Sequence, residues 1–126
     1  MATWPNYFPP QCPPATARQD DVLVYRLVNS APPTLDDFKP TKIEQPERTF
    51  AEDEICAACG VSVFRNVKDI VKKQSRYKAL RSKKIAFGSI SHNDGLVLET
   101  FTPSHMTWWL QTSAPHRNFI EYIENV

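Results

Sequence analysis

The sequence predicts an α+β fold in which a mainly antiparallel sheet of about five strands packs against one main amphipathic helix. Three observations support this prediction: several strand-like apolar runs, a helical pattern over 66–81, and an Asp-Gly turn between two of the runs. The apolar runs lie at 22–28, 60–64, 85–91, 96–101 and 105–110.

The length and composition are those of one globular domain. The chain has 126 residues, of which 41% are hydrophobic and 23% are charged, which suits one core rather than two. We expect a single domain over 1–126, with a proline-rich aromatic arm at 1–19 and an α+β core at 20–126. No apolar run approaches the roughly 20 residues that cross a bilayer, so we expect no membrane association.

The first strand is predicted at 22–28, where the residues VLVYRLV are β-branched, aromatic and almost all apolar. Two prolines follow it, and Thr34 then stands three residues before Asp37, the spacing of a helix capping box. This pattern predicts a short helical turn. The polar segment 41–54 has no periodicity, which predicts a surface loop.

The main helix is predicted over 66–81. Asn66 is a favourable N-cap residue, and Asp69 places a negative charge in the first turn. The apolar residues that recur near helical spacing are Val67, Ile70, Val71, Tyr77 and Leu80. They predict one buried stripe on an otherwise basic helix.

The last third of the chain predicts a hairpin, a further strand and a short helix. The turn at 92–95 ends in Asp-Gly between two apolar runs, which predicts that 85–91 and 96–101 pair with each other. After the strand at 105–110, a C-terminal helix is predicted to open at Ser113 and Pro115. Its buried residues would be Phe119, Ile120 and Ile123.

The three cysteines predict a reducing compartment rather than a disulfide framework, and we expect a cytoplasmic protein. Cys56 and Cys59 have the spacing of half a zinc site, but no second pair accompanies them. We therefore expect no metal, and if any is bound these two would be its ligands. The favoured interpretation is that both pack as small apolar residues in the core.

Charge is strongly segregated along the chain. Residues 20–54 contain nine acidic and four basic residues, whereas 65–84 contain nine basic residues and one acidic residue. The two segments could face each other, or one could face a partner. The lysines and arginine of a nucleic-acid or partner surface would be Lys68, Lys72, Lys73 and Arg76, although a solvated helix has the same composition.

Several polar side chains stand on predicted strands among apolar neighbours. Arg26 and Glu99 each share a strand face with apolar residues, and His105 and Thr107 share a face with Trp109. If Arg26, Glu99 and His105 met across the sheet, they would form a catalytic cleft with an anion anchor, a carboxylate and a titratable imidazole. The alternative is a structural ion pair between Arg26 and Glu99, or exposure at a sheet edge.

A first strand with Tyr25 and Arg26, a strand GVSVF at 60–64 that leads into a helix, and a late strand with Glu99 together resemble small ADP-ribosyltransferase-like domains. The resemblance spans about 22–110. It implies NAD as cofactor, with Arg26 at its phosphate, Ser62 or Tyr25 at its nicotinamide end, and Glu99 at the ribose or the acceptor.

Since no complete catalytic motif is present, the first hypothesis is an interaction domain that binds a protein partner or a small ligand without catalysis or cofactor. Trp4, Trp108 and Trp109 would contribute to a binding surface. The candidate ligand-binding residues are Tyr25, Ser62, Thr107 and Trp109. The alternatives are an NAD-dependent ADP-ribosyltransferase-like enzyme and a nucleic-acid-binding domain that uses the basic helix.

Overall fold

The structure, a computed structural model, describes residues 4–123 and is an α+β fold with one six-stranded antiparallel sheet. The strands are β1 (Val22–Val28), β2 (Val61–Phe64), β3 (Lys84–Ile90), β4 (Gly95–Glu99), β5 (His105–Leu110) and β6 (Phe119–Glu121). Their order across the sheet is β4-β5-β2-β1-β3-β6. The predicted fold class is confirmed, with six strands rather than about five.

Three short helices are α1 (Thr41–Glu44), α2 (Ile55–Ala58) and α3 (Val67–Arg76), and 3₁₀ turns form at Leu35–Phe38, Lys78–Leu80 and Pro115–Asn118. The segment 41–54, predicted as a loop, thus begins with a helical turn. The predicted N-cap of α3 is confirmed, since the Asn66 side chain accepts a hydrogen bond from the Lys68 amide at 2.8 Å. The helix is shorter than the predicted 66–81 because Tyr77 is extended.

The predicted pairing of β3 with β4 as a hairpin is wrong. β3 pairs with β1 and β6, whereas β4 pairs with β5 at the other edge of the sheet. The connecting residues do form a tight turn, in which the Asp94 amide donates to the Ser91 carbonyl at 2.8 Å. Such a turn cannot reach past the three strands between β3 and β4 in a flat sheet.

The sheet must therefore curl until its two sides approach each other. An isolated bridge between Arg18 and Val97 joins the segment before β1 to β4 and supports this arrangement. The inner face encloses a core formed by residues of the strands and of the 3₁₀ turns: Val24, Val28, Phe38, Val61, Val63, Ala86, Ile90, Val97, Met106, Trp108 and Phe119. The outer face is covered at one end by the arm with α2 and at the other by α3.

The predicted C-terminal helix begins at Pro115 as expected, but only as a 3₁₀ turn, and its predicted continuation through 119–123 is wrong. The chain forms a 3₁₀ turn at Pro115–Asn118 and then the strand β6, which pairs with β3. Because side chains on a strand alternate between faces, Phe119 is buried while Ile120 is 59% exposed. Ile123 lies beyond the end of the strand and is 70% exposed.

The arm packs against the sheet rather than extending into solvent. Trp4 stacks on Phe8 with ring centres 5.5 Å apart, and Cys12 forms a disulfide with Cys56 of α2. The expectation of no disulfide framework is therefore wrong: the arm forms turns at 5–8 and 9–12, and the Cα atoms of Cys12 and Cys56 are 5.6 Å apart. This bond removes the reason for expecting a reducing compartment. Within residues 4–123, no helix is long and apolar enough to span a bilayer.

Candidate functional site

A cleft with a volume of about 340 Å³ lies between α3 and the loop 100–104 that joins β4 to β5. We call it the aromatic cleft. Its lining residues are Phe64, Asp69, Lys72, Lys73, Arg76, Tyr77, Phe101, Thr102, Pro103 and His105. It therefore combines the basic helix, predicted as a partner surface, with His105, predicted as a catalytic residue.

Aromatic rings form the apolar side of this cleft. His105 lies edge-on to Phe64 with ring centres 5.1 Å apart, and its ring centre is 5.3 Å from that of Phe101. Phe101 is 76% exposed and has a φ of 64°. A bulky residue adopts this left-handed conformation at a cost in conformational free energy. The loop nonetheless holds the apolar ring of Phe101 in solvent, where it lines the cleft.

The loop is tied to α3 and to β2. The Ser104 hydroxyl donates to the Asp69 carboxylate at 2.7 Å, and the Arg65 amide donates to the Ser104 carbonyl at 2.8 Å. The amide of Thr100 also donates to the carbonyl of His105 at 3.1 Å. These bonds fix the position of Phe101 relative to the basic face of α3.

The His105 imidazole is buried and oriented by Thr100. Its Nδ1 lies 3.1 Å from the Thr100 carbonyl oxygen and 3.0 Å from the Thr100 hydroxyl. A carbonyl only accepts hydrogen bonds, so Nδ1 carries the proton and Nε2 carries the lone pair. Burial, and then the charge of Lys73, lowers the pKa of His105 to about 4, so the ring is neutral at pH 7.

The opposite side of the cleft is cationic. Lys72, Lys73 and Arg76 project from α3, and within residues 4–123 none of them lies within 4.0 Å of a carboxylate oxygen. The acidic segment 41–54 makes no ion pair with α3 in this part of the chain. Lys68, the fourth predicted surface residue, is exposed on the same helix but lies outside the cleft.

The structure does not bring Arg26, Glu99 and His105 together, so the predicted three-residue cleft is corrected. The strand register places Arg26 and Glu99 on the inner face, with β5 and β2 between their strands. His105 pairs with Phe64 and points to the outer face. Only His105 of the three lines the aromatic cleft.

The expected ion pair between Arg26 and Glu99 is absent from the described residues. Glu99 instead accepts two hydrogen bonds from Arg18, at 2.7 and 2.8 Å, because Arg18 lies beside β4. These bonds hold the pKa of Glu99 at about 2. Arg26 donates to two backbone carbonyls, those of Asp37 and Ser62.

The four predicted ligand-binding residues lie apart from the aromatic cleft. Tyr25 packs against Phe87 and Tyr122, and Thr107 is buried with its hydroxyl 2.8 Å from that of Thr100. Trp109 is buried beneath the arm and donates to the Cys56 carbonyl at 2.8 Å. Ser62 is exposed and lines the smaller cleft.

Cys56 and Cys59 do not form a pair of thiolate ligands. Cys56 is bonded to Cys12, and Cys59 is a buried free thiol whose pKa burial raises. The favoured interpretation, that both pack as small apolar residues in the core, is correct for Cys59, whereas Cys56 packs against the same cluster as half of a disulfide. Across residues 4–123 no group of three or more His, Cys, Asp or Glu side chains could hold a metal ion.

Six residues that line the cleft were not predicted as site residues: Phe64, Asp69, Tyr77, Phe101, Thr102 and Pro103. Phe101 precedes the loop sequence Thr-Pro-Ser, and an aromatic residue beside a proline-containing loop is a usable signal. That signal alone does not show which helix lies opposite the loop. No protein-family model, curated protein or solved structure matches this chain, so the resemblance to ADP-ribosyltransferase-like domains stays a prediction.

Proposed function

We propose that this chain is a binding domain, without catalysis, for a ligand that carries both a flat aromatic ring and an anionic group, as a nucleoside monophosphate does. One observation carries the proposal: the exposed ring of Phe101 is held across a cleft from three cations that have no carboxylate partner in the described residues.

Phe101 supplies the surface on which the ligand ring stacks. Covering it would remove apolar area from water, and stacking of a base on an aromatic side chain contributes about 1–3 kcal/mol. The bond between Ser104 and Asp69 holds the loop in place before the ligand arrives. A pre-positioned ring costs less entropy on binding than a mobile one.

The cations of α3 supply the charge. Lys72 and Arg76 line the cleft and are exposed, so they can reach an anionic group at its mouth. The neutral His105 offers Nε2 as an acceptor for an N–H or O–H group of the ligand. The ligand therefore has three chemical features: a ring, an anion and a hydrogen-bond donor.

The proposal contains no catalytic step because the cleft does not pair a nucleophile with a base among the described residues. The Ser104 hydroxyl is directed to Asp69 rather than to His105. The Nδ1 atom of His105 is directed to Thr100. A binding role fits this arrangement better than group transfer does.

Titration with adenosine 5′-monophosphate, followed by amide chemical shifts, tests the proposal. We expect the shifts to map to α3 and the loop 100–104. Adenosine alone should bind more weakly, because it lacks the phosphate. Phe101→Ala and Arg76→Gln should each weaken binding roughly tenfold, whereas Lys68→Gln, outside the cleft, is the matched control. Equal binding of the nucleotide and the nucleoside, or no effect of Phe101→Ala, would contradict the proposal.

Single-stranded nucleic acid is a second candidate ligand, favoured by the position of Phe101 beside the basic helix. Phe101 supplies an exposed aromatic ring for base stacking beside the basic segment 65–84. An oligonucleotide of about eight residues should then bind at least ~100-fold more tightly than the monophosphate and lose affinity steeply with salt. Similar affinities would restrict the ligand to a single nucleotide.

Two other hypotheses receive less support. An NAD-dependent transferase would use Glu99, which lies in neither cleft and is bound by Arg18. Glu99→Gln should therefore leave the affinity for NAD unchanged. A protein interface through tryptophans is weakened because Trp108 and Trp109 are buried. A cytoplasmic location is likewise only a proposal, and the disulfide of Cys12 weighs against it.

A further inference from the structure

A second cleft opens where β1 and β2 separate. The two strands pair only at Tyr25 and Phe64, and the space beside this pair has a volume of about 220 Å³. We call it the cationic cleft. The charged residues that line it are Arg26, Lys39, Glu44, Lys73 and Lys83. It adjoins the aromatic cleft, since Phe64 and Lys73 line both.

Arg26 lacks a charged partner in this cleft. Its Nε donates to the Asp37 carbonyl at 2.9 Å and its Nη1 to the Ser62 carbonyl at 2.7 Å, while its guanidinium lies 5.5 Å from the centre of the Phe38 ring. Within residues 4–123 no carboxylate oxygen lies within 4.0 Å of it. In the described residues Arg26 donates hydrogen bonds only to neutral carbonyls, and a partly desolvated cation of this kind is stabilised when an anion binds to it.

Burial lowers the pKa of Arg26 to about 10, which still leaves it protonated at pH 7. Two lysines add to its charge: Lys83 donates to the Asn29 side chain at 3.2 Å, and Lys73 rests over Phe64. Neither forms an ion pair in the described residues, whereas Lys39 is neutralised by Asp36 at 3.1 Å. Arg26, Lys73 and Lys83 therefore contribute three positive charges. Two carboxylates oppose them, since the charges of Glu44 and Asp37 both act on Arg26.

We propose that the cationic cleft binds a phosphate group. The positive charges still outnumber the carboxylates near them, so the cleft favours an anion. The planar fork of a guanidinium also suits the oxygens of a phosphate. This site goes beyond the proposed function, because its anchor Arg26 takes no part in the aromatic cleft.

Titration with inorganic phosphate at constant ionic strength, followed by amide chemical shifts, tests the site. We expect shifts around 26–27, 39–44 and 60–62. Glu44→Gln removes the opposing charge and should tighten binding roughly threefold to tenfold, whereas Lys83→Gln should weaken it by a similar factor. Glu47→Gln, an exposed acid three residues away that does not line the cleft, is the matched control and should change nothing. These variants leave the Arg26 contacts with the backbone intact, so they do not depend on a replacement that endangers folding.

The proposal is overturned if phosphate shifts only residues of α3 and the loop 100–104, or if Glu44→Gln and Glu47→Gln behave alike. Phe101→Ala separates this site from the proposed function, since it should weaken the nucleotide and leave inorganic phosphate unaffected. Competition identifies the source of the phosphate. If adenosine monophosphate displaces inorganic phosphate, the phosphate group that the cationic cleft binds is part of the ligand of the aromatic cleft. If the two compounds bind together, the cationic cleft binds free phosphate.

Discussion

The amino nitrogen of Lys73 lies 5.6 Å from the centre of the Phe64 ring. Both residues line the aromatic cleft and the cationic cleft, so this cation–aromatic contact separates the two proposed sites. The charge of Lys73 also acts on His105, whose pKa it lowers. One side chain thus connects the electrostatics of both clefts.

Removing this charge should raise the pKa of His105. Lys73→Met keeps much of the side-chain volume while it abolishes the repulsion between the ammonium and a protonated imidazole. The pKa is measured by following the imidazole carbon-bound protons in an NMR titration. Lys68→Met, on the same helix but outside the cleft, should leave it unchanged. An unaltered pKa in Lys73→Met would show that burial alone lowers it.

Stability should depend on pH through His105. Its pKa is 6.5 for an unperturbed histidine and about 4 in the folded chain. The unfolded state therefore binds a proton more readily, and the stability present above pH 6.5 falls as the pH drops towards 4. Urea unfolding at several pH values measures this slope. His105→Gln should be less stable at pH 7, and its free energy of unfolding should change less between pH 6.5 and 4. An equally steep change in that variant would show that His105 is not the titrating group.

The Arg18–Glu99 pair should contribute to stability in a lower pH range. The folded pKa of Glu99 is about 2, against 4.5 for a free glutamate, so its contribution is present above pH 4.5 and is lost as the pH falls towards 2. Arg18→Met should raise this pKa. At pH 7 it should cost at most ~1 kcal/mol, since both side chains are partly solvated.

Arg65→Met provides the comparison for that pair. Arg65 lies 3.8 Å from a Glu99 oxygen, farther than the 2.7 Å of Arg18. Its replacement should therefore shift the pKa of Glu99 less. A carboxyl titration by NMR ranks the two variants, and an equal or larger shift in Arg65→Met would mean that Arg18 is not the principal partner.

Loss of the disulfide should weaken the attachment of the arm. The bond between Cys12 and Cys56 closes a loop with a sequence separation of 44, for which the chain-entropy estimate is about 4 kcal/mol and observed values are often nearer 2. The double variant Cys12→Ala/Cys56→Ala should lower the free energy of unfolding accordingly. Tryptophan fluorescence should shift to the red as the arm leaves Trp109.

The thiol that takes no part in this bond provides the control. Cys59→Ala removes a small buried side chain and keeps the disulfide, so we expect a loss of about 1 kcal/mol and no red shift. If the double variant is as stable as the unaltered chain, the arm is held by its aromatic packing alone.

Elements defined by neighbouring residues were predicted well. The strand at 22–28 has the predicted bounds because six of its seven residues are apolar or aromatic, a composition typical of a strand. The start of α3 is set by Asn66, whose side chain needs only the next turn of the chain to act as a cap. The end of α3 and the C-terminal segment were predicted less well, since apolar residues in short runs fit both helix and strand.

The pairing of strands that are distant in sequence was harder to predict. The Asp-Gly turn formed as expected, yet it did not pair the strands that it connects. β1 offers β3 a seven-residue register, and β5 offers β4 five paired residues. These long-range pairings outweigh the local signal of the turn.

The basic helix and the unusual polar residues of the strands were visible in the residue order, because charge and side-chain alternation are local properties. Their neighbours were not. Curling of the sheet places Arg18 rather than Arg26 beside Glu99. The register of β5 with β2 directs His105 to the outer face, towards α3. The clefts formed only when segments far apart in the chain came together, since a cavity depends on which surfaces meet and how closely they pack.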